Sequence, residues 1–345
     1  MGFFANLFKK KDEPKTEARV SFVEKTRITT NDPDIPPFQG DYAKAIFLWA
    51  HSKASPVKGN DGYARYFLYE CGIRNAAKYH HELIAEGYFE EASIQQTLNA
   101  LKATELKEIL AELGQSTTGK KDALIERIAN NADSSIIVRY CPEKQYVLSA
   151  LGQSFLDLHD DYVMVHKHKN WGIDWKEYDA HKIAGRSYYD TMWAIFNEQL
   201  LHNPRDFGRS QYLFMHQLLT EEGKREQALQ MLLRVLYIDL SGTEGMQWYD
   251  MYRQGLYKEK DVRECFSIAI MLAPGILNTI KDFADIYSDT FVENIYEQRL
   301  PVQICEKKLF LAIVHSILEG TYDQEATEEK LKRAYYKFLR ETLFV

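Results

Sequence analysis

The feature that most restricts how this 345-residue chain can fold is a series of helical-period segments in its second half. From about Tyr188 onward, apolar residues recur every three or four positions, as on the buried stripe of an amphipathic helix. The pattern predicts a mainly α protein whose C-terminal domain, residues 183–345, is an irregular stack of helical hairpins. Turns between the helices are predicted at Asn203-Pro204, Gly223, Ser241-Gly242, Pro274-Gly275, Pro301 and Gly320.

One of these hairpins has a more specific pattern. Gly223 and Ala228 lie between a Leu/Met/Phe-rich segment and a Leu/Val-rich one, which resembles the turn of a tetratricopeptide-like (TPR-like) helical hairpin. No second copy follows one repeat length later, so a regular array is not predicted. Stacked helical hairpins commonly bind other proteins, and we expect an unknown protein partner on the C-terminal helices.

The first half of the chain divides into four parts. Residues 1–40 are polar and contain several prolines, which indicates a disordered tail and linker. Residues 41–92 have helical patterning, and residues 93–131 contain two short helices. Residues 132–182 form a strand, a helix and a linker that lead back to the C-terminal domain. The helix pair is therefore predicted to be an insert in an N-terminal helical domain.

Two short strands are predicted on either side of this insert. Tyr146-Val147-Leu148 has the form of a strand that leads into a helix capped by Ser149. Gly87-Tyr88-Phe89 stands before the insert. The arrangement is similar to the ends of a winged-helix module, and the alternative is a small β-hairpin that ties the insert to its neighbours.

The first helix of the pair lies within residues 101–114. Its apolar residues have the i, i+3, i+4, i+7 spacing of one buried face. Thr104 stands where a helix N-cap would accept a hydrogen bond from a free backbone amide. Gly114 follows the last apolar residue and can adopt the left-handed conformation that ends a helix. The apolar face consists of Leu106, Ile109, Leu110 and Leu113.

The second helix begins with an unusual charge pattern. If Thr118 is its N-cap, Gly119, Lys120 and Lys121 occupy the first turn. A helix N-terminus carries a partial positive charge, so two lysines there are unfavourable unless an anion binds. A phosphate would accept hydrogen bonds from the free amides and pair with both ammonium groups, and Arg127 lies close enough along the helix to reach a neighbouring phosphate.

The stretch as a whole resembles a SAP motif of the bacterial or phage type, a helix–extended loop–helix module associated with DNA binding. The matching residues are Leu106-Lys107, Gly114, Gly119-Lys120-Lys121, Leu124-Ile125 and Arg127-Ile128, roughly a tenth of the chain. The family usually has a leucine after the first glycine, where this chain has Gln115. The resemblance implies DNA contacts from Thr104, Lys107, Gly119, Lys120, Lys121 and Arg127.

Charge places a limit on this interpretation. Five positive and five negative side chains lie within residues 101–131, and the whole chain has a net charge of −7. Any contact with nucleic acid must therefore be local, and whether DNA or RNA is preferred stays open. The alternative is a protein–protein scaffold in which the helix pair has only a structural role.

A metal-dependent hydrolase is a third hypothesis. Residues 157–181 contain several histidines and acids, and His159 and His166 are spaced to share a helix face. Imidazole and carboxylate ligands suit transition metals, but no HExxH spacing, P-loop, GxGxxG or GxSxG motif accompanies them. We expect a solvated helix face there, with no cofactor and no enzymatic activity.

Localisation follows from three absences in the sequence. Four widely separated cysteines without a CxxC pair indicate reduced, buried thiols. No apolar run is long enough to span a bilayer, and the N-terminus lacks the pattern of a signal peptide. We expect a cytoplasmic protein, with peripheral membrane-surface contact by Phe3, Phe4, Leu7, Phe8 and the three following lysines as a minor alternative.

Overall fold

The computed structural model describes residues 33–202 and 207–345. Over these ranges the chain forms twenty α-helices and one small three-stranded sheet, which confirms the predicted mainly α fold. Two compact units divide between Leu158 and His159. The N-terminal segment for which membrane contact was a minor alternative, most of the predicted tail and the Asn203-Pro204 turn lie outside the described residues.

The first unit has eight helices and all three strands over the part described. The helices are α1 (Gly40–Ala50), α2 (Tyr66–Tyr69), α3 (Ala76–Ala85), α4 (Ile94–Ala100), α5 (Ala103–Glu112), α6 (Lys121–Asn131), α7 (Ser134–Tyr140) and α8 (Ala150–Leu158). The strands are β1 (Ser55–Pro56), β2 (Phe89–Glu91) and β3 (Gln145–Leu148).

The sheet ties the two ends of the inserted helices together. The central strand β3 pairs antiparallel with β2, where Phe89 faces Leu148, as the predicted strands on either side of the insert require. Ser149 caps α8 as predicted, because its hydroxyl accepts a hydrogen bond from the amide of Gly152 at 3.1 Å. Strand β1 was not predicted; it is two residues long, and its Pro56 lacks a backbone donor, which suits an edge strand.

The second unit is helical over its described residues. Its helices are α9 (Asp160–Lys167), α10 (Trp175–His181), α11 (Tyr188–His202), α12 (Arg209–Glu221), α13 (Arg225–Ser241), α14 (Met246–Arg253), α15 (Glu259–Glu264), α16 (Phe266–Ala269), α17 (Pro274–Lys281), α18 (Asp289–Tyr296), α19 (Lys307–Leu318) and α20 (Gln324–Phe338), the last followed by a π-helical turn, Leu339–Leu343.

Helix α13 forms the centre of this unit. Its residues from Val235 to Ser241 are all buried, so it packs against other helices on every side. The predicted α12–α13 hairpin is present, and Gly223 at φ +79° ends α12. Buried Asp239 receives a bidentate ion pair from Arg209, with Nη2–Oδ2 at 2.9 Å.

One predicted helix is divided in two. The sequence predicts a continuous helix from Gly275 to Leu300, but the chain leaves helical geometry between α17 and α18. Ser288 begins α18, where its hydroxyl accepts a hydrogen bond from the amide of Thr290 at 3.4 Å. The prediction was wrong because apolar periodicity continues through the turn, where Phe283 is buried without belonging to a helix.

Candidate nucleic-acid interface

The predicted helix pair has a core of its own. The side chains predicted to form the apolar faces of α5 and α6 are buried, except Leu113, which is half-buried. Helix α4 completes this core with Leu98 and was not assigned to the pair from the sequence. Three helices therefore build the core of this part of the chain. The fully buried members are Leu98, Leu106, Ile109, Leu110, Leu124, Ile125 and Ile128.

Gly114 ends α5 as predicted. It has φ +66°, its amide donates to the Ala111 carbonyl at 3.1 Å, and the amide of Gln115 donates to the Leu110 carbonyl at 2.8 Å. This pair of bonds is the Schellman arrangement, which requires a residue that tolerates positive φ. Gln115, which stands where the family has a packed leucine, is exposed.

The two helices begin at the same end of the pair. Helix α5 has ten residues and is about 15 Å long, and the loop of residues 114–120 can extend about 23 Å, enough to return along it. The Lys121 Nζ donates to the Asn99 carbonyl at 2.7 Å, which places the start of α6 beside the junction between α4 and α5. The first residues of α5 and α6 are therefore neighbours.

Both predicted N-caps were wrong. Helix α5 follows Lys102, so Thr104 is its second residue and is exposed. Helix α6 follows Lys120, so Gly119 lies in the loop at φ +126°. The Thr118 hydroxyl instead lies 2.8 Å from that of Ser116. Apolar spacing fixes which face of a helix is buried, whereas local bonds such as these determine where the helix begins.

The predicted lysines lie on the surface, Lys120 and Lys121 at the start of α6 and Lys107 midway along α5. Lys107, Lys120 and Lys121 are exposed, and none of them forms an ion pair with a carboxylate among the described residues. Exposed Lys102 is at the same end and was not predicted as a site residue, although it directly precedes α5. Lys102, Lys120 and Lys121 therefore place three positive charges at the two helix N-termini, and Lys107 adds a fourth about one turn along α5.

The N-terminus of α6 differs from that of α5 in one respect. The amide of Lys102 donates to the Glu105 carboxylate at 2.6 Å, because an acid occupies the third position of α5. Ala123 occupies that position in α6, and no side chain among the described residues caps this helix. The Lys120 amide therefore has no side-chain acceptor among the described residues, and together with the first amides of α6 it can donate to an external anion.

The acids of the pair are distributed unevenly. At the opposite end of α5, Glu112 forms an ion pair with Arg139 of α7 and accepts a hydrogen bond from the Tyr140 hydroxyl at 3.2 Å. Glu105 is held at its helix N-terminus. The neutral sum over residues 101–131 therefore conceals a positive end, where Glu105 and exposed Asp122 offset part of the lysine charge.

Arg127 lies in a different environment from the lysines. The residue as a whole is half-buried, and its Nη1 donates to the carbonyls of Ser116 and Thr118, the latter at 3.1 Å. The side chain predicted to reach a phosphate is thus bonded to the loop that precedes Lys120.

The histidine- and acid-rich segment forms no comparable site. No group of three or more His, Cys, Asp or Glu side chains converges to hold a metal among the described residues. Two of its acids and histidines show how they are bonded within the second unit: Asp161 pairs with Lys182 at 2.5 Å, and His181 with Glu198 at 2.7 Å. His159 and His166 do not share one regular helix, since His159 precedes α9 and is not helical.

Comparison with known proteins agrees with the geometry. Residues 97–131 match the family model of the SAP domain, so the chain contains a SAP domain, which is a nucleic-acid-binding motif. Neither the curated proteins nor the solved structures include a match to the chain. No helix in the described ranges is both long and apolar enough to cross a membrane.

Proposed function

We propose that this is a non-enzymatic DNA-binding protein that contacts the sugar-phosphate backbone through the paired N-termini of α5 and α6. The proposed contacts are Lys102 together with five residues of the SAP resemblance, Thr104, Lys107, Gly119, Lys120 and Lys121. Phosphate contacts orient a protein on DNA without reading its sequence, so little sequence preference is expected.

The observation that supports this most strongly is the uncapped start of α6. Exposed Lys120 and the first amides of the helix lack an internal acceptor among the described residues, and Gly119 leaves the approach to Lys120 without a side chain. A phosphate oxygen can accept from these amides and pair with Lys120 and Lys121. The SAP match supports the same ligand class from the sequence.

Few phosphate contacts imply weak and salt-sensitive binding. Each neutralised phosphate contributes about 0.9 to the slope of log K against log salt on duplex DNA. Non-specific affinities of this type are about 10⁻⁴ to 10⁻⁶ M at physiological salt. Binding should therefore be measured at low salt first and then along a salt series.

The test compares two charge reversals in the full-length chain. Fluorescence anisotropy with a labelled duplex should show that Lys120→Glu with Lys121→Glu weakens binding about a hundredfold, because each hydrogen bond to a charged group contributes about 1.5–3 kcal/mol. The matched control is Lys258→Glu with Lys260→Glu, which changes the same charges at the start of α15. A single-stranded RNA competitor in the same assay tests the DNA preference.

The scaffold alternative gives the opposite result. If the helix pair is only structural, the two double variants should bind duplex DNA equally, whatever their affinity. Equal binding with equal salt slopes would remove the site assignment.

A protein partner for the second unit is part of the same proposal. Leu256 and Ile268 expose 68% and 48% of their surfaces in this unit, and apolar side chains of this kind can anchor a partner. A partner recovered by cross-linking the full chain should be lost with Leu256→Glu, while duplex binding stays at the wild-type value. Loss of both together would indicate misfolding instead.

A further inference from the structure

The loop between α5 and α6 is held by a single arginine side chain from the helix that follows it. The Arg127 Nη1 donates to the Thr118 carbonyl at 3.1 Å and also to the Ser116 carbonyl. Both acceptors lie in the extended segment that ends at Gly119, immediately before the proposed phosphate contacts. One planar guanidinium thus joins α6 to two points of its own entry loop.

We infer that Arg127 is a positioning residue for DNA binding, which orders residues 116–119 so that Lys120 and the α6 amides face the phosphate. This rests on the proposed function. The inference differs from the SAP resemblance, which implies that Arg127 itself contacts DNA.

The surroundings of the side chain favour positioning over direct contact. Arg127 is half-buried, whereas Lys107, Lys120 and Lys121 are exposed. The loop residues Ser116 and Thr118 bond mainly to each other, with their hydroxyls 2.8 Å apart. Without the guanidinium, this segment would retain few bonds to the helices and would have to be ordered when DNA binds.

The two roles differ in their salt dependence. A guanidinium that contacts a phosphate releases a counterion, so its removal should lower the salt slope by about 0.9. A guanidinium that only orders the loop leaves the number of phosphate contacts unchanged. Its removal should weaken binding about tenfold at every salt concentration, because preorganisation is lost.

The experiment uses the full-length chain with Arg127→Gln, which removes the charge and the paired donors, and Arg127→Lys, which retains the charge. Backbone NMR order parameters of residues 115–120, measured without DNA, report the state of the loop. Lys120→Gln is the control, since it removes a proposed phosphate contact and leaves the hydrogen bonds of Arg127 to the loop intact.

We expect the order parameters to fall from about 0.85 to below about 0.6 with Arg127→Gln, and to stay unchanged with Lys120→Gln. The salt slope should fall with Lys120→Gln and stay constant with Arg127→Gln, and Arg127→Lys should recover part of the loop order. An unchanged loop with Arg127→Gln, or a slope lowered by about 0.9, would overturn the inference. Failure of the wild-type chain to bind DNA would instead remove the proposed function. The order parameters would then still test whether Arg127 orders the loop.

Discussion

Helices α6 and α15 begin in the same way and yet leave their N-termini in different states. Lys120 and Lys258 each precede the first helical residue in an extended conformation, with ψ of 160° and 164°. In α15, the Lys258 amide donates to the Asp261 carboxylate at 2.8 Å. In α6, Ala123 stands at the equivalent position and offers no acceptor.

The difference shows that lysines before a helix do not by themselves indicate a ligand. An acid three residues later accepts a hydrogen bond from the amide of the residue before the helix, as Asp261 does in α15 and Glu105 in α5. Where that acid is replaced by alanine, the same terminus remains open to an external anion. The third helical position therefore separates the candidate site from its closed counterparts.

A buried histidine in the first unit makes the free energy of unfolding depend on pH, independently of the N-terminus of α6. Fully buried His80 is hydrogen-bonded to the Tyr63 hydroxyl at 2.9 Å, and burial, with smaller effects from His51, His81 and Lys58, lowers the pKa of His80 to about 3.

Below the ordinary histidine pKa of about 6.5, the unfolded chain binds a proton that the folded chain excludes. The contribution of neutral His80 to the free energy of unfolding is therefore fully present above about pH 6.5. It is lost as the pH falls toward 3, at up to about 1.4 kcal/mol per pH unit. Urea unfolding at pH 7, 6 and 5 should show this loss, and His80→Gln should reduce it. An identical pH dependence in the variant would show that other groups cause it.

Closing α6 with an acid of its own should weaken DNA binding. Ala123→Glu places a carboxylate where α5 and α15 have one, so it should accept from the Lys120 amide and compete with phosphate. We expect affinity for duplex DNA to fall about tenfold and the free energy of unfolding to rise by about 0.3–1 kcal/mol. Anisotropy and urea unfolding measure the two effects. Ala123→Leu is the control for side-chain size, since leucine offers no acceptor, and an unaltered affinity with Ala123→Glu would argue against a phosphate at this terminus.

Opening α15 should have the reverse effect on stability. Asp261→Ala removes the acceptor of the Lys258 amide and one of the two negative charges in the first turn. We expect a loss of about 0.5–1 kcal/mol in the free energy of unfolding, measured from the urea midpoint. Asp261→Asn keeps an acceptor and should lose less. No change with alanine would mean that the Asp261 bond contributes nothing to closing the terminus.

The smallest effect is expected at α5. Glu105→Gln removes a negative charge beside the proposed site, and glutamine can still accept from the Lys102 amide. Duplex affinity at low salt should rise about two- to threefold, with stability nearly unchanged. Glu108→Gln, which changes the same charge on another part of α5, serves as the control. A decrease in affinity would show that Glu105 orders the site.

Much of the helix pair was predictable because its apolar spacing repeats with the helical period. The buried faces of α5 and α6 and the role of Gly114 follow directly from that period and from the conformational freedom of glycine. The predicted caps Thr104 and Thr118 were wrong, because threonine is a good cap in general and nothing local showed that lysines would occupy those positions. Strand β1 could not be predicted, since two residues carry no periodicity.

By itself, the sequence determined the mainly α fold, the SAP helix pair and the presence of lysines at its loop, because these depend on residues close together along the chain. Only the tertiary structure decided that α4 completes the core and that Arg127 bonds to its own loop. It also placed Lys102 beside the start of α6. The reason is physical: hydrogen bonds and burial between distant residues depend on how helices pack, and packing brings together groups whose separation along the chain carries no signal.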